Sequence, residues 1–92
     1  MIIRIMSEGQ YKLGGAHLDK INDLDNDAVS ALEKENAKLF YKKYGELVKY
    51  IRDSGNKVPD QDIIESDFIL PPADVTPEEA LLFFEGEGVV PG

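Results

Sequence analysis

Residues 67–79 read DFILPPADVTPEE, and this stretch marks the boundary between an extended segment and a helix. The apolar run FIL stops at two consecutive prolines, which lack the N–H group that a strand uses to continue its hydrogen bonding. Thr76 then has the position of a helix N-cap, and Pro77 takes the first helical position, which favours proline. Thr76 and Glu79 also have the spacing of a capping box, so the stretch predicts a short strand followed at once by a helix.

The N-terminal residues predict a β-hairpin. Residues 2–6 are mostly apolar and β-branched, residues 7–9 read SEG and predict a turn, and residues 10–13 return as a second strand. Two glycines at positions 14 and 15 then separate the hairpin from the helical part of the chain.

Two amphipathic helices are predicted in the middle of the chain, because apolar residues recur there at steps of three and four. The stripe of the first helix is Leu18, Ile21, Leu24, Ala28 and Leu32, and that of the second is Phe40, Tyr44, Leu47, Val48 and Ile51. We expect an antiparallel αα-hairpin joined near residues 35–36. Isolated helices of this length are marginal in water, so the stripes must pack on each other and on the β-hairpin.

Three further boundaries are predicted from local sequence. Asn36 is a good N-cap for the second helix, and Gly55 is expected to end that helix as a left-handed residue. Residues 24–27 read LDND and offer a second helix start, which predicts a kink in the first helix.

The C-terminal third is predicted to be mostly irregular up to the strand before the prolines, with one turn near residues 60–64. A third helix is expected from Pro77 to Phe84, ended by Gly86 and Gly88, with a short strand at residues 89–90. The chain is therefore predicted to be one domain, residues 1–92, of the α+β class. It combines an N-terminal β-hairpin packed with an αα-hairpin, a short third helix and short extended segments.

The composition excludes several classes of protein. Eighteen acidic against ten basic residues give a net charge of −8, which repels nucleic acid and anionic lipid. The chain has no cysteine, so disulfides, thiolate catalysis and cysteine–zinc sites are excluded. No apolar run approaches the roughly 20 residues needed to span a bilayer, so we expect any membrane association to be peripheral and to come from a partner.

Four carboxylates invite a metal-binding interpretation: Asp19, Asp23, Asp25 and Asp27. The last three alternate as in a calcium loop, but that loop needs Gly at its sixth position and Glu at its twelfth, where this chain has Ala28 and Lys34. His17 is the only histidine, and no Ser or Cys nucleophile stands in a recognisable setting beside it. We therefore predict a solvated helix face, with no catalytic residue, no metal site and no cofactor.

Aromatic and charged residues predict an interaction surface instead. Basic residues concentrate in the middle third and acidic residues dominate both flanks. This pattern is typical of a solvated, ion-paired helix or of a bipolar surface that orients a partner. A tyrosine that leaves the buried stripes is either a half-exposed edge of the core, the more common outcome, or a contact residue. The candidate partner anchors are Tyr11, Tyr50 and Phe84.

Several stretches of the chain together resemble a known family. They are IIRIMSEGQY at residues 2–11, the segment 48–55, DFILPPADVTPEE at residues 67–79 and GVVPG at residues 88–92, with Leu18-Asp19 and Leu24-Asp25 among them. Their combination and order resemble the PspA-associated domain, PspAA, of the phage-shock envelope-stress system, over nearly the whole chain. The positions that match the family pattern are Glu8, Gly9, Gln10, Tyr11, Leu70, Pro71, Pro72 and Asp74.

The resemblance implies a function that composition and spacing do not. Members accompany PspA, a long helical coiled-coil protein that binds and remodels stressed membranes, and the family is taken to be an accessory or adaptor module. The resemblance therefore implies a PspA-like partner and a cytoplasmic location, with recruitment to the inner face of the membrane through that partner.

Two other classes of function stay open. One is a small metal-binding or enzymatic domain that uses the carboxylates of residues 19–27, and the other is a homo-oligomeric structural module built through exposed strand edges.

The isolated domain is expected not to bind lipid vesicles, because its net charge of −8 opposes anionic headgroups and it lacks a long basic amphipathic helix. Co-flotation with anionic liposomes at low salt, with no partner protein present, measures this directly. A basic amphipathic peptide is the positive control. Recovery of the domain in the lipid fraction would overturn the prediction.

Overall fold

A computed structural model of the chain shows a four-stranded sheet packed against two long helices, the predicted α+β class. It describes residues 1–62 and 64–85, with the backbone but not the side chains of residues 83–85. The strands are β1 (Ile2–Ile5), β2 (Gly9–Lys12), β3 (Asn56–Lys57) and β4 (Phe68–Leu70). The helices are α1 (Leu18–Glu33), α2 (Ala37–Ser54) and α3 (Pro77–Glu85), and a 3₁₀ turn, Gly15–His17, precedes α1.

The sheet is built around the predicted hairpin, with strand order β3-β2-β1-β4. β1 pairs antiparallel with β2 and parallel with β4, so that Ile3 lies opposite Tyr11 on one side and Phe68 on the other. Ile3 and Ile5 are buried in the core while Arg4, between them, is exposed, as the alternation of a strand requires. The predicted extended segment before the two prolines is therefore an edge strand of this sheet.

The other edge strand, β3, is absent from the sequence prediction. Asn56 and Lys57 are exposed polar residues with no alternating pattern, and they extend the sheet because the chain leaving α2 runs back along β2. Val58 follows them and is buried, with its N–H donating to the Gln10 carbonyl at 2.9 Å. The segment after it is irregular as predicted, with a turn at residues 60–61.

α1 and α2 form the predicted αα-hairpin, and the apolar stripe of each helix faces the core. Asn36 caps α2 as predicted, because its Oδ1 accepts a hydrogen bond from the Leu39 N–H at 3.1 Å. The second helix start predicted at residues 24–27 is wrong, since α1 is one unbroken helix and Leu24 is buried within its packed face. Among the described residues, no helix combines the length and the apolar composition needed to cross a membrane.

The prediction of a left-handed residue at Gly55 is also wrong. Gly55 has φ −94° and ψ 162°, an extended backbone that leads directly into β3. The left-handed residue of the αα-hairpin is Glu35, with φ 55°, in the short connection between α1 and α2. That connection has to reverse the chain within a few residues, and this tight reversal imposes a positive φ on Glu35, which is uncommon for a residue other than glycine.

Tyr44 ties α2 to the chain that enters α3. Its side chain is almost fully buried and stacks on Phe40, with ring centroids 5.5 Å apart and planes 9° apart. Its hydroxyl donates a hydrogen bond to the Pro71 carbonyl. Burial raises the pKa of the Tyr44 phenol, and the negative charges of Asp25 and Glu8 raise it further, so the hydroxyl keeps the proton that it donates.

α3 begins at the predicted residue, and the predicted capping box is formed. The Thr76 Oγ1 accepts a hydrogen bond from the Glu79 N–H at 3.2 Å, and the Thr76 N–H donates to the Glu79 Oε1 at 3.3 Å. The predicted glycine end of this helix at residues 86–88 and the strand predicted at residues 89–90 lie outside the described residues.

Replacement of Thr76 by Ala is expected to lower the free energy of unfolding by about 1 kcal/mol, because the N-terminal turn of α3 loses its side-chain acceptor. Chemical denaturation followed by circular dichroism measures the difference. Thr76→Ser keeps the hydroxyl and is the matched control, with a change of only a few tenths of a kcal/mol expected from the similar capping strength of the two residues. Equal unfolding midpoints for wild type and Thr76→Ala would contradict a functional cap.

Candidate interaction surfaces

Glu8 and Arg52 join the hairpin turn to the end of α2. The Glu8 carboxylate accepts hydrogen bonds from the Arg52 Nε at 2.8 Å, from the Arg52 Nη2, and from the Tyr11 hydroxyl at 3.2 Å. The hydrogen bond and the positive charge of Arg52 lower the pKa of Glu8, so the carboxylate stays ionised. Two residues of the family pattern, Glu8 and Tyr11, thus hold the hairpin against α2.

Gly9 and Gln10 begin β2, and Gln10 bonds the irregular segment that precedes β4. Gly9 has φ 125°, a conformation that residues with a side chain rarely adopt. Gln10 is buried, and its Nε2 donates to the Ile64 carbonyl at 2.6 Å and to the Ser66 Oγ at 2.8 Å. These bonds hold residues 64–66 over the face of the sheet that the helices leave uncovered.

Leu70, Pro71 and Pro72 direct the chain from β4 into α3. Leu70 and Pro71 are buried, and the Pro71 carbonyl accepts the tyrosine hydroxyl described above. The Pro72 carbonyl accepts from the Val75 N–H at 3.0 Å and closes a turn in which Asp74 is exposed. Asp74 is the one exposed residue of the family pattern, so that pattern describes how the domain is held together more than what it contacts.

The three predicted partner anchors differ in accessibility. Tyr11 is 8% exposed, and Tyr50 is half-buried with its hydroxyl 2.6 Å from the His17 Nδ1. The side chain of Phe84 lies outside the described residues. Tyr41 is 46% exposed, so it offers a partner more area than Tyr11 does. All three anchors remain predictions, and the burial of Tyr11 leaves it little surface for contact.

An apolar patch lies on the face of the sheet opposite the helices. Ile69 pairs with the exposed Arg4. Met6 comes directly after β1 and its N–H still donates to the Leu70 carbonyl at 3.0 Å, so we expect its side chain to lie on the same face as that of Arg4. Ile64 reaches this face too, because its carbonyl accepts the side chain of Gln10, the partner of Arg4 in β2. Met6, Ile64 and Ile69 are each 40–42% exposed, and we refer to them as the outer-sheet patch. No sequence pattern reveals this patch, since its members meet through the register of the sheet and the bond from Gln10.

Apart from Tyr41, the outer side of the helix layer presents mostly polar and charged residues. Many of the basic residues lie on the solvent side of α2, where Lys49 pairs with Asp53 at 3.1 Å. Lys43 lies 3.9 Å from Asp27 and so links α2 to α1. Exposed ion pairs of this kind contribute little to stability, so these charges can be used for contacts with another molecule.

The carboxylates of residues 19–27 do not converge on one point. Three of the four are exposed on α1, whereas Asp25 is half-buried in a pocket that it lines with Ile3 and Leu47. Burial raises the pKa of Asp25, and its Oδ1 has no hydrogen-bond partner among the described residues. Among all the residues that the structure describes, no three His, Asp or Glu side chains are grouped so that they could hold a metal ion.

Comparison with known proteins agrees with the resemblance drawn from the residues. The family model described as "PspAA: PspA-Associated protein" matches residues 1–92, the whole chain. No curated protein and no solved structure gives a match. The description of the family refers to association with PspA and names no reaction.

Replacement of Asp25 by Asn is expected to stabilise the domain at neutral pH. The folded-state pKa of Asp25 lies above its ordinary value of 3.8, so its ionisation costs stability as the pH rises through that raised pKa. Asparagine keeps the shape without the charge, and its advantage should vanish as the pH falls to the ordinary pKa and below. Urea unfolding at about pH 7 and about pH 4 measures both effects. Asp23→Asn, at an exposed site on the same helix, is the control, and equal gains from both variants would contradict the role of burial.

Proposed function

The chain belongs to the PspA-associated protein family, and from this membership we propose that it is a non-catalytic adaptor that binds a PspA-like coiled-coil protein in the membrane-stress response. The observation that carries the proposal is that the family model, whose description refers to association with PspA, matches residues 1–92. The partner would be a PspA-like protein from the same source.

The outer-sheet patch is the surface we propose for the main contact. It has an apolar centre, with Arg4 beside it, and we place the exposed carboxylates of Glu65 and Asp67, which flank the segment bonded to Gln10, at its rim. An apolar centre with a charged rim is the usual arrangement of a protein interface, and a few apolar anchors supply most of the affinity. Tyr11, Tyr50 and Phe84 remain candidate anchors that are not members of this patch.

The net charge of −8 supports a role for electrostatics in the encounter. Long coiled coils carry charged flanks beside their apolar seams. A basic flank on the partner would attract the domain, accelerate association and align the two molecules, while the desolvated apolar contacts would determine the rate of dissociation.

We propose a cytoplasmic location with recruitment to the inner face of the membrane through the partner. The net negative charge of the domain supports this indirect route, because anionic headgroups repel it. Membrane association would then depend on the concentration of the partner and not on lipid composition alone.

Surface plasmon resonance against the PspA-like protein from the same source tests the adaptor function. Ile69→Thr combined with Met6→Thr is expected to weaken binding about tenfold or more, a loss of about 1.4 kcal/mol or more, because both changes remove apolar area while keeping strand-compatible side chains. Raising the salt concentration from about 50 to about 500 mM should slow association strongly and change dissociation much less.

Leu82→Thr is the matched control, since Leu82 is 79% exposed on α3 and is not part of the outer-sheet patch. No binding of wild type at tens of micromolar would contradict the adaptor function. Binding that the Ile69 and Met6 changes leave intact would contradict the proposed surface, and an association rate indifferent to salt would contradict the electrostatic part alone.

A further inference from the structure

Gly45 is unfavourable for α2 and has no evident purpose within the chain. It lies in the middle of the helix on the exposed side, where glycine is the least favourable residue after proline. A Cβ added there would meet nothing within 4 Å, and the positive-φ glycine among the described residues is Gly9, not Gly45. Neither crowding nor backbone conformation in the described chain therefore requires glycine at this position. A close approach by another molecule would require it.

Glu33 and Lys38 are also unfavourable for the helices that carry them. Glu33 is the last residue of α1, where the helix dipole favours a cation, and Lys38 is in the first turn of α2, where it favours an anion. Neither side chain has an ion pair or a hydrogen bond among the described residues. Three residues on the outer surface of the helix layer thus oppose local stability, which is typical of positions selected for contact.

The outward faces of the two helices carry complementary residues at the same spacing. The central line of exposed residues on α2 is Lys38, Lys42, Gly45, Lys49 and Arg52, of which Arg52 is already paired with Glu8 of the hairpin turn. The corresponding line of α1, exposed except for the half-buried serine, is Asp19, Asp23, Asn26, Ser30 and Glu33. Both follow alternating steps of four and three, the spacing with which one helix lies along another. One line is cationic with a glycine at its centre, and the other is acidic with small polar residues at its centre.

The register of the αα-hairpin allows these lines to meet across a two-fold axis. Asp27 lies beside Lys43, and His17 beside Tyr50, so the two helices run antiparallel with Asn26 roughly level with Gly45. A two-fold axis parallel to the helices and midway between them would place α1 of one copy over α2 of the other. Rotation about this axis does not change the height of a residue along the helices. A residue of α1 in one copy therefore faces the residue of α2 in the other copy that lies at the same height.

We propose that two copies of this chain associate face to face through the outer surfaces of α1 and α2. Glu33 of each copy then faces Lys38 of the other, and Asn26 faces Gly45, where the missing side chain lets the backbones approach. The contact is self-complementary, as an isologous interface must be. It uses the helix layer and not the strand edges, and it does not rest on the adaptor function because the outer-sheet patch lies on the opposite face.

The size and charge of this face indicate a weak, reversible dimer. Helices of this length side by side present a face of about 24 by 20 Å, so a pair buries on the order of 1,000 Å² in total, near the lower limit for specific interfaces. The net charge of −8 on each copy opposes association, so the local pairs have to offset that repulsion. Dissociation constants in the micromolar range follow from this balance.

A charge-swap experiment tests the proposal. Sedimentation velocity on the whole chain, from about 10 to about 500 μM, is expected to show a concentration-dependent dimer of wild type. Glu33→Lys and Lys38→Glu should each weaken it about tenfold or more, since each places like charges opposite one another twice. An equimolar mixture of the two variants should restore dimers, because both cross-chain pairs of a mixed dimer then join a lysine to a glutamate. Both substitutions suit the helix dipoles, so the melting temperatures should not fall.

Lys12→Glu changes the net charge as Lys38→Glu does but lies on the sheet, and it should leave the dimer unchanged. Gly45→Gln should raise the melting temperature and weaken the dimer together, since it improves the helix and fills the point of closest approach. A wild type that stays monomeric over the whole range would overturn the proposal. So would single variants that dimerise like wild type, or a mixture that fails to regain dimers.

Discussion

The apolar stripe of α2 is the contact on which every other element depends. Its buried residues pack in one cluster with the inner residues of the sheet and the stripe of α1. The chain that leaves α2 becomes β3 without a separate loop, and the Tyr44 hydroxyl on the same stripe holds the carbonyl of Pro71 before α3. Large-to-small changes in such a stripe cost about 2–5 kcal/mol, which approaches the whole stability of a small domain. The hairpin, the edge strands and α3 are thus positioned by one helix face.

Periodicity and capping were sufficient to predict the elements that are defined by neighbouring residues. The stripes of both helices, the Asn36 cap and the box of Thr76 and Glu79 all depend on residues within a few positions of one another. The misplaced features depend on distant parts of the chain. Gly55 is extended because β2 offers a place for β3, and residues 24–27 remain helical because Leu24 is packed. Local preference was overridden at these positions by tertiary contacts.

The outer-sheet patch shows why the surface was harder to predict than the fold. Its members come from the residue after β1, the irregular segment and β4, and the pairing of β1 with β4 and the bond from Gln10 to the Ile64 carbonyl bring them together. Most residues of the family pattern, in contrast, are buried or bonded within the domain. A family pattern made of such residues identifies the family, whose description refers to PspA, while the contact surface has to be argued from exposure and register.

The outer-sheet patch and the proposed dimer surface lie on opposite faces of the domain. A pair joined through the helix layers would carry its two outer-sheet patches on opposite outer sides, because the sheet covers the other face of those helices. Such a pair could engage two partner chains at once, or two sites on one assembly if their spacing fits. The second contact would then be intramolecular and governed by effective concentration, so a weak patch and a weak dimer could together give firm attachment. Residues that weaken α1 and α2 locally, such as Gly45 and Lys38, would in this arrangement increase the affinity of the assembly at the expense of the stability of each copy.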